Sequence, residues 1–316
     1  MTADACAPEG NGRLDDLAEV FAACRTAMLE TADLGHWRPA AGSAAERAAA
    51  GLPHPDPAVA DPVGATGFLL VSEAVSTFLL VAAGHLGALG ALHTSKEVLF
   101  SPGALVRAVL ENCAHAMWVL GRHGESPNNQ LARAYLEDYL SAEEAKKNAG
   151  RLGDKTTRVY QDAASTYSRL RTEIQARFPA TTPADLAGPP RRLAGQELPS
   201  PEAGVKWMYE LLGSASGSSI DARTAMGVYG YLSNVTHPTL YPVRQMREWT
   251  VAPGHEGHAT NTVSVDADFL VRQGTVAVLA FYNALSYVTS YYGWPTGAHD
   301  ALTAAIDRSL PGAIGP

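Results

Sequence analysis

The sequence predicts an all-α fold, a bundle of about eight or nine helices forming a single domain over residues 13–316. Three observations carry this. Long segments repeat apolar residues at the three- and four-residue spacing that one face of a helix requires. Three segments open with the same pair, at Ser101-Pro102, Ser126-Pro127 and Ser200-Pro201. Serine can accept from an orphan backbone N–H, and proline has no N–H to leave unsatisfied at the first helical position. Finally, no strand–helix alternation and no fixed-period repeat occurs, so neither a parallel nucleotide-binding sheet nor a solenoid is expected.

Taken in order, residues 1–12 are small and polar and are expected to be disordered. Leu14, Leu17, Phe21 and Met28 form an apolar stripe on a helix over 13–34, with Asp15, Asp16 and Glu19 opposite. Pro39, Pro53, Pro55, Pro57 and Pro62 predict a loop near 35–64. The helix over 66–93 is apolar on most faces and long enough to cross a bilayer, which takes about 20 residues. Glu73 and His85 interrupt it, and no belt of Lys, Arg, Trp or Tyr marks its ends. It is read as a central core helix, and no membrane partner is expected.

A second core helix over 102–120 should stop at Gly121. A polar helical pair follows over 127–177, whose Glu137, Asp138, Glu143, Glu144, Lys146 and Lys147 read as a solvated face. A proline-rich connection near 179–199 leads to a helix that should stop at Gly213. Helices at about 219–235 and 239–247 precede a possible short β-hairpin at 249–265, where β-branched runs flank Pro253-Gly254. Helices at about 267–292 and 298–309 close the chain. Tyr287, Tyr291 and the other aromatics of the 267–292 helix read as core and subunit contact, with tyrosine hydroxyls lining a pocket as the alternative.

The 46% hydrophobic content can bury a sizeable core. The formal net charge of -8 lacks the Lys and Arg excess that phosphate binding draws on, so a nucleic-acid partner is not expected. Cys6, Cys24 and Cys113 are odd in number and lack framework spacing, which reads as free thiols in a reducing compartment. No positively charged region followed by an apolar run stands in the first residues. The expected location is cytoplasmic.

One cluster asks for an explanation. Arg107, Glu111 and His115 are spaced four apart on the apolar 102–120 helix, so they stack on one face, with Trp118 continuing the stripe. Charges on a buried helix cost several kcal/mol each unless partnered. Arg107 can pair with Glu111, and His115 with Glu111 or another helix. A second polar set, Tyr229, Tyr231, Ser233, Asn234, His237 and Tyr241, interrupts an aromatic run, followed by Arg244 and Arg247. His237 precedes a proline, which places it at a helix end. Either Arg107, Glu111 and His237 tie two core helices together, or they line a pocket. In a pocket Glu111, His115 or His237 would act as acid or base. Arg107 would hold the ligand, with Trp118, Tyr231, Ser233, Asn234, Tyr241 and Arg244 around it.

The segments LVRAVLENCAHAMWVL, LARAYLEDYLSAEEAKK and YGYLSNVTHP resemble a group of uncharacterised bacterial all-helical proteins. Their shared signature is an Arg-Glu helix, a second Arg-bearing helix and a Tyr-Ser-His segment. The resemblance spans roughly residues 70–245 and implies a helical fold without an activity. A more distant likeness is to the HEPN class of helical toxin and defence ribonucleases, which act on RNA as dimers and carry an Arg shortly before a helix-end His. Asn234 and His237 match the end of that motif. The chain departs from it at 231–233, which read Tyr, Leu and Ser, and the nearest upstream arginine is Arg223.

Asp15, Asp16 and Glu19 superficially match the magnesium-binding acidic motif of class I terpene cyclases, without the second motif that partners it. Glu111 and His115 are four apart rather than the three of a di-iron Glu-x-x-His motif, and no second copy occurs. His255 and His258 lack zincin spacing, and P-loop, GxSxG and GxGxxG signatures are absent. No metal and no cofactor is therefore expected. The reading is a cytoplasmic protein, forming a homodimer, that binds a small organic molecule between central helices and can use acid–base catalysis. The alternatives are a HEPN-like ribonuclease, a terpene-cyclase-like enzyme, or an interaction protein without catalysis.

Overall fold

The computed structural model describes residues 8–35, 37–52, 67–216, 222–237, 239–251 and 259–314. Among them stand nine helices of 13 residues or more: α1 (Pro8–Gly35), α3 (Phe68–Ser95), α4 (Ser101–Leu120), α5 (Pro127–Leu152), α6 (Arg158–Arg177), α8 (Pro201–Ser216), α9 (Ala222–Thr236), α11 (Ala267–Tyr292) and α12 (Gly297–Ser309). Three short helices join them, α2 (Ala44–Ala50), α7 (Pro183–Leu186) and α10 (Tyr241–Gln245). The all-α fold is thus as the periodicity predicts.

Helix α4 lies at the centre, packed by α3, α5, α8, α9 and α11. Its Val106, Val109, Leu110, Cys113, Ala114, Met117 and Leu120 are buried, which is why nearly the whole helix is apolar. Helix α3 buries Val71, Val75, Leu79, Ala82, Leu86 and Leu89, and packs on α1, α4, α5 and α11. It is the one helix among the described residues long and apolar enough to span a membrane, and Leu69, Leu80 and Val81 remain exposed along it. One cluster of buried apolar side chains runs from Leu14 of α1 to Leu310 beyond α12. Close approach of α1 and α11 depends on Gly274, where a Cβ would stand 2.9 Å from Leu17 and 3.0 Å from Phe21.

Helix boundaries differ from expectation in instructive places. Helix α1 begins at Pro8, so residues 8–12 are helical and not irregular. The proline-rich stretch after it holds α2, capped by Ser43, whose hydroxyl accepts from the Glu46 N–H at 3.0 Å. Ser43-Ala-Ala-Glu46 has the serine-to-glutamate spacing of a capping box, a local signal that stands among the prolines from which the loop was expected. Residues 53–64 of that stretch lie outside the described residues. The 179–199 connection likewise holds α7, with a Thr182/Asp185 capping box, and a hairpin of β1 (Arg192–Leu193) and β2 (Gln196–Glu197). Its two turn residues, Ala194 and Gly195, have φ of 49° and 77°, the left-handed pair that a two-residue hairpin needs. Gly213 does not stop α8, which continues to Ser216. The hairpin expected at 249–265 is present as β3 (Arg247–Val251) and β4 (Ala259–Val263), antiparallel with Trp249 opposite Asn261. Its tip, with His255 and His258, lies outside the described residues.

The three Ser-Pro starts are not alike. Ser200 accepts from the Ala203 N–H at 3.2 Å. Ser126 stands at the N-cap of α5 without a side-chain bond, and Ser101 is already the first helical residue of α4. Gly121 ends α4 as expected, with φ of 77° and the Arg133 and Glu125 side chains filling the space a Cβ would need.

Candidate functional site

The four-residue spacing on α4 does put Arg107, Glu111 and His115 along one partly exposed face, but they meet different partners. Arg107 Nε donates to Glu111 Oε1 at 2.7 Å within the helix. Its other nitrogens reach α9, donating to the Thr236 hydroxyl and, at 3.3 Å, to the Tyr229 phenol oxygen. Tyr229 OH in turn donates to Glu111 Oε1 at 2.8 Å. The Arg107 and Glu111 side chains are 19% and 25% exposed, so this tie lies at the rim of the core. Burial of Tyr229 and the Glu111 carboxylate push that phenol up to about 12, so it stays a donor at neutral pH.

One turn further, His115 faces α5. Its Nδ1 lies 2.5 Å from Glu137 Oε1, with the two side chains 14% and 8% exposed. The Phe78 ring of α3 packs on the imidazole at 5.4 Å. Nε2 of His115 has no hydrogen-bond partner among the described residues. Burial disfavours the imidazolium, but the bond to Glu137 and the charges of Glu137 and Glu111 outweigh it and hold His115 above its ordinary value. A carboxylate on Nδ1 fixes the tautomer and leaves Nε2 as the working nitrogen.

Trp118 does not continue this site. It is buried, and its ring carries the Arg133 guanidinium at 5.6 Å. Arg133 donates to Glu125 at 2.8 Å, to Gln196 at 2.8 Å and to the Trp118 carbonyl at 3.0 Å, and so ties α5 to the end of α4 and to β2.

Within the Tyr-Ser-His segment, Tyr229 and Thr236 meet the α4 face, whereas the residues expected to line a pocket do not. His237 is exposed, and among the described residues it bonds through its backbone, its N–H donating to the Ser233 carbonyl and its carbonyl accepting from the Thr239 N–H. Asn234 spends its amide on the Gly230 carbonyl at 2.9 Å. Tyr241 and Arg244 are exposed. Tyr231 packs its ring on Phe269 and Tyr241 at 5.7 and 6.1 Å, and with Met246 and Arg272 lines a cavity of about 310 Å³. The helix tie therefore runs through Tyr229 and Thr236, with His237 no part of it.

Glu137 is the partner that sequence reasoning placed wrongly, on a solvated face. The signal was present: Leu131, Ala132, Ala134, Tyr135, Leu136 and Tyr139 bury around it, in a helix carrying Arg133 and Glu137 four apart as α4 carries Arg107 and Glu111. In α5, however, the two members do not pair with each other: Glu137 bonds His115 midway along α4, and Arg133 bonds the end of α4, Glu125 and Gln196.

Elsewhere, Cys24 and Cys113 are fully buried, and burial pushes both thiols up. Asp15 is engaged by Lys96 at 2.6 Å at the surface. Among the described residues no group of His, Cys, Asp or Glu is arranged to hold a metal. Comparison with protein-family models, curated proteins and solved structures gives no match.

Proposed function

We propose that this protein binds a small organic molecule on the polar face of α4, with His115 giving a proton to it or taking one from it. The observation that carries the reading is the His115–Glu137 pair at 2.5 Å, with no partner for Nε2 among the described residues, one turn from the Arg107–Glu111–Tyr229 tie. A purely structural tie would have no need of a histidine whose second nitrogen is spare. With its pKa raised, His115 carries its proton to a higher pH than an ordinary histidine, which suits a general acid near neutrality. Arg107, three of whose nitrogens are occupied, positions Glu111, whose Oε1 takes two hydrogen bonds. The dimer and the cytoplasmic location belong to the same reading.

Native mass spectrometry of the purified protein tests it. A retained small molecule is expected on the wild type and lost from folded His115→Gln and Glu111→Gln. Retention that both variants share with the wild type contradicts the reading. A HEPN-like ribonuclease is the second reading, favoured by one contact. Arg107 reaches Thr236, the neighbour of His237, so α4 supplies an arginine at the helix end where the motif lacks one. RNA cleavage that needs both Arg107 and His237 is its expected outcome, and no cleavage at any protein concentration removes it.

A further inference from the structure

A second cleft shares no residue with the α4 face. Its sides come from α2 (Arg47, Ala48), the connection between α4 and α5 (Arg122, His123, Glu125) and α11 (Tyr287, Tyr291), around a volume of about 280 Å³. The walls are held in place from behind. The Tyr287 hydroxyl donates to the Gly121 carbonyl, and Tyr291 OH donates to Gln130 Oε1 at 2.8 Å. Gln130, itself buried, passes the chain on by donating to the Leu120 carbonyl at 2.7 Å. Segment 37–43, which leads into α2, is pinned to the end of α11 by the bonds from Trp294 Nε1 to the Arg38 carbonyl and from the Ala40 N–H to the Tyr292 carbonyl.

The charges in this cleft do not cancel. Glu125 is the one carboxylate on its lining among the described residues, and it already accepts from Arg133 and from Asn129, each at 2.8 Å. These partners outweigh its burial and hold its carboxyl below the usual range. Among the described residues the Arg47 guanidinium meets only the Gly42 carbonyl, at 2.7 Å, and the Arg122 guanidinium has no hydrogen-bond or ion-pair partner. Two guanidinium groups with no carboxylate partner among the described residues thus face one concave site, in a chain whose formal net charge is -8. Guanidinium forks match the geometry of carboxylate and phosphate oxygens. Both phenols have committed their protons inward, so their oxygens are left as acceptors for a ligand's own N–H or O–H groups. Burial pushes Tyr291 up to about 12, which keeps that assignment at neutral pH. The volume falls just below that of drug-sized ligand sites, which run from about 300 Å³ upward, and suits a small ligand.

From this we infer that the cleft between α2, the α4–α5 connection and α11 is a binding site for a compact oxyanion. Its ligand carries a carboxylate or phosphate held by Arg47 and Arg122, and hydroxyl or ammonium donors that meet Tyr287 and Tyr291. The anion is a small metabolite, since a cleft of this size closed by two tyrosines does not admit a polymer backbone.

Calorimetric titration of the full chain with inorganic phosphate and with malate, at low ionic strength and against sodium chloride of matched strength, tests this. Saturable binding of at least one of the two is expected. Arg47→Met and Arg122→Met should each weaken it by about tenfold, as loss of one charge-assisted contact does. Arg158→Met, on a remote and exposed guanidinium, should leave it unchanged. Both arginines of the cleft are exposed, so the variants keep the fold, which their unliganded thermal midpoints verify. The inference is overturned if neither anion binds beyond the chloride control, or if the double variant binds as tightly as the wild type. His115→Gln does not bear on either outcome, so this site and the α4 reading stand or fall separately.

Discussion

Arg133 and Arg13 both form ion pairs, yet their surroundings assign them different weights. Arg133 is 11% exposed and its partner Glu125 16%, whereas Arg13 and Asp268 are each about half exposed. Removing one member of a buried pair strands the other, so Arg133→Ala is expected to cost about 3–5 kcal/mol in urea denaturation, and Arg13→Ala about 0–1 kcal/mol. His115 gives a pH-dependent test. A histidine with a raised pKa stabilises the fold fully below its ordinary value, and that stability is lost as pH rises through the raised one. Glu137→Gln is expected to lower the His115 pKa in a ¹⁵N NMR titration and to flatten this pH dependence of the urea midpoint. An unmoved titration would show that Glu137 does not hold the proton. The Arg107–Glu111 pair was legible because both members sit in one helix at fixed spacing. The Glu137 pairing was not: 22 residues separate it from His115, and only the packing of α5 on α4 joins them.

At the scale of elements, the long helices were legible because their apolar spacing is local, and the short ones were not. Helix α2 has 7 residues, too few for a periodic pattern to outweigh nearby prolines, and its capping pair Ser43 and Glu46 was the remaining sign. The repeated Ser-Pro starts show how far a local signature reaches. It located the beginnings of α4, α5 and α8 to within a residue, but only at Ser200 does the hydroxyl take up a backbone N–H. Ser200→Ala is therefore expected to cost about 1 kcal/mol in stability and Ser126→Ala close to nothing, since only the former removes a capping bond. Equal losses at the two positions would contradict the assignment.

Across the whole molecule, α1 and α12 pack together although they begin and end the chain, and no local pattern in the sequence announces which helices pair. Ile306 of α12 is fully buried in the same cluster as Leu14 of α1. Ile306→Ala is expected to cost about 2–5 kcal/mol and to move the entire unfolding transition, with no separate early phase for α12. The bundle so closed exposes a short polar stretch of its central helix between α9 on one side and α3 and α5 on the other. The most direct measurement of what that stretch does follows the His115 imidazole nitrogens by NMR, identified by their loss in His115→Gln. The protein is titrated meanwhile with the small-molecule fraction of the cells that produced it. A saturable shift of the Nε2 signal, with the exposed His237 unmoved, is the result expected of a ligand site on α4. A His115 signal that stays fixed across the titration would contradict it and leave the face of α4 as a tie between helices.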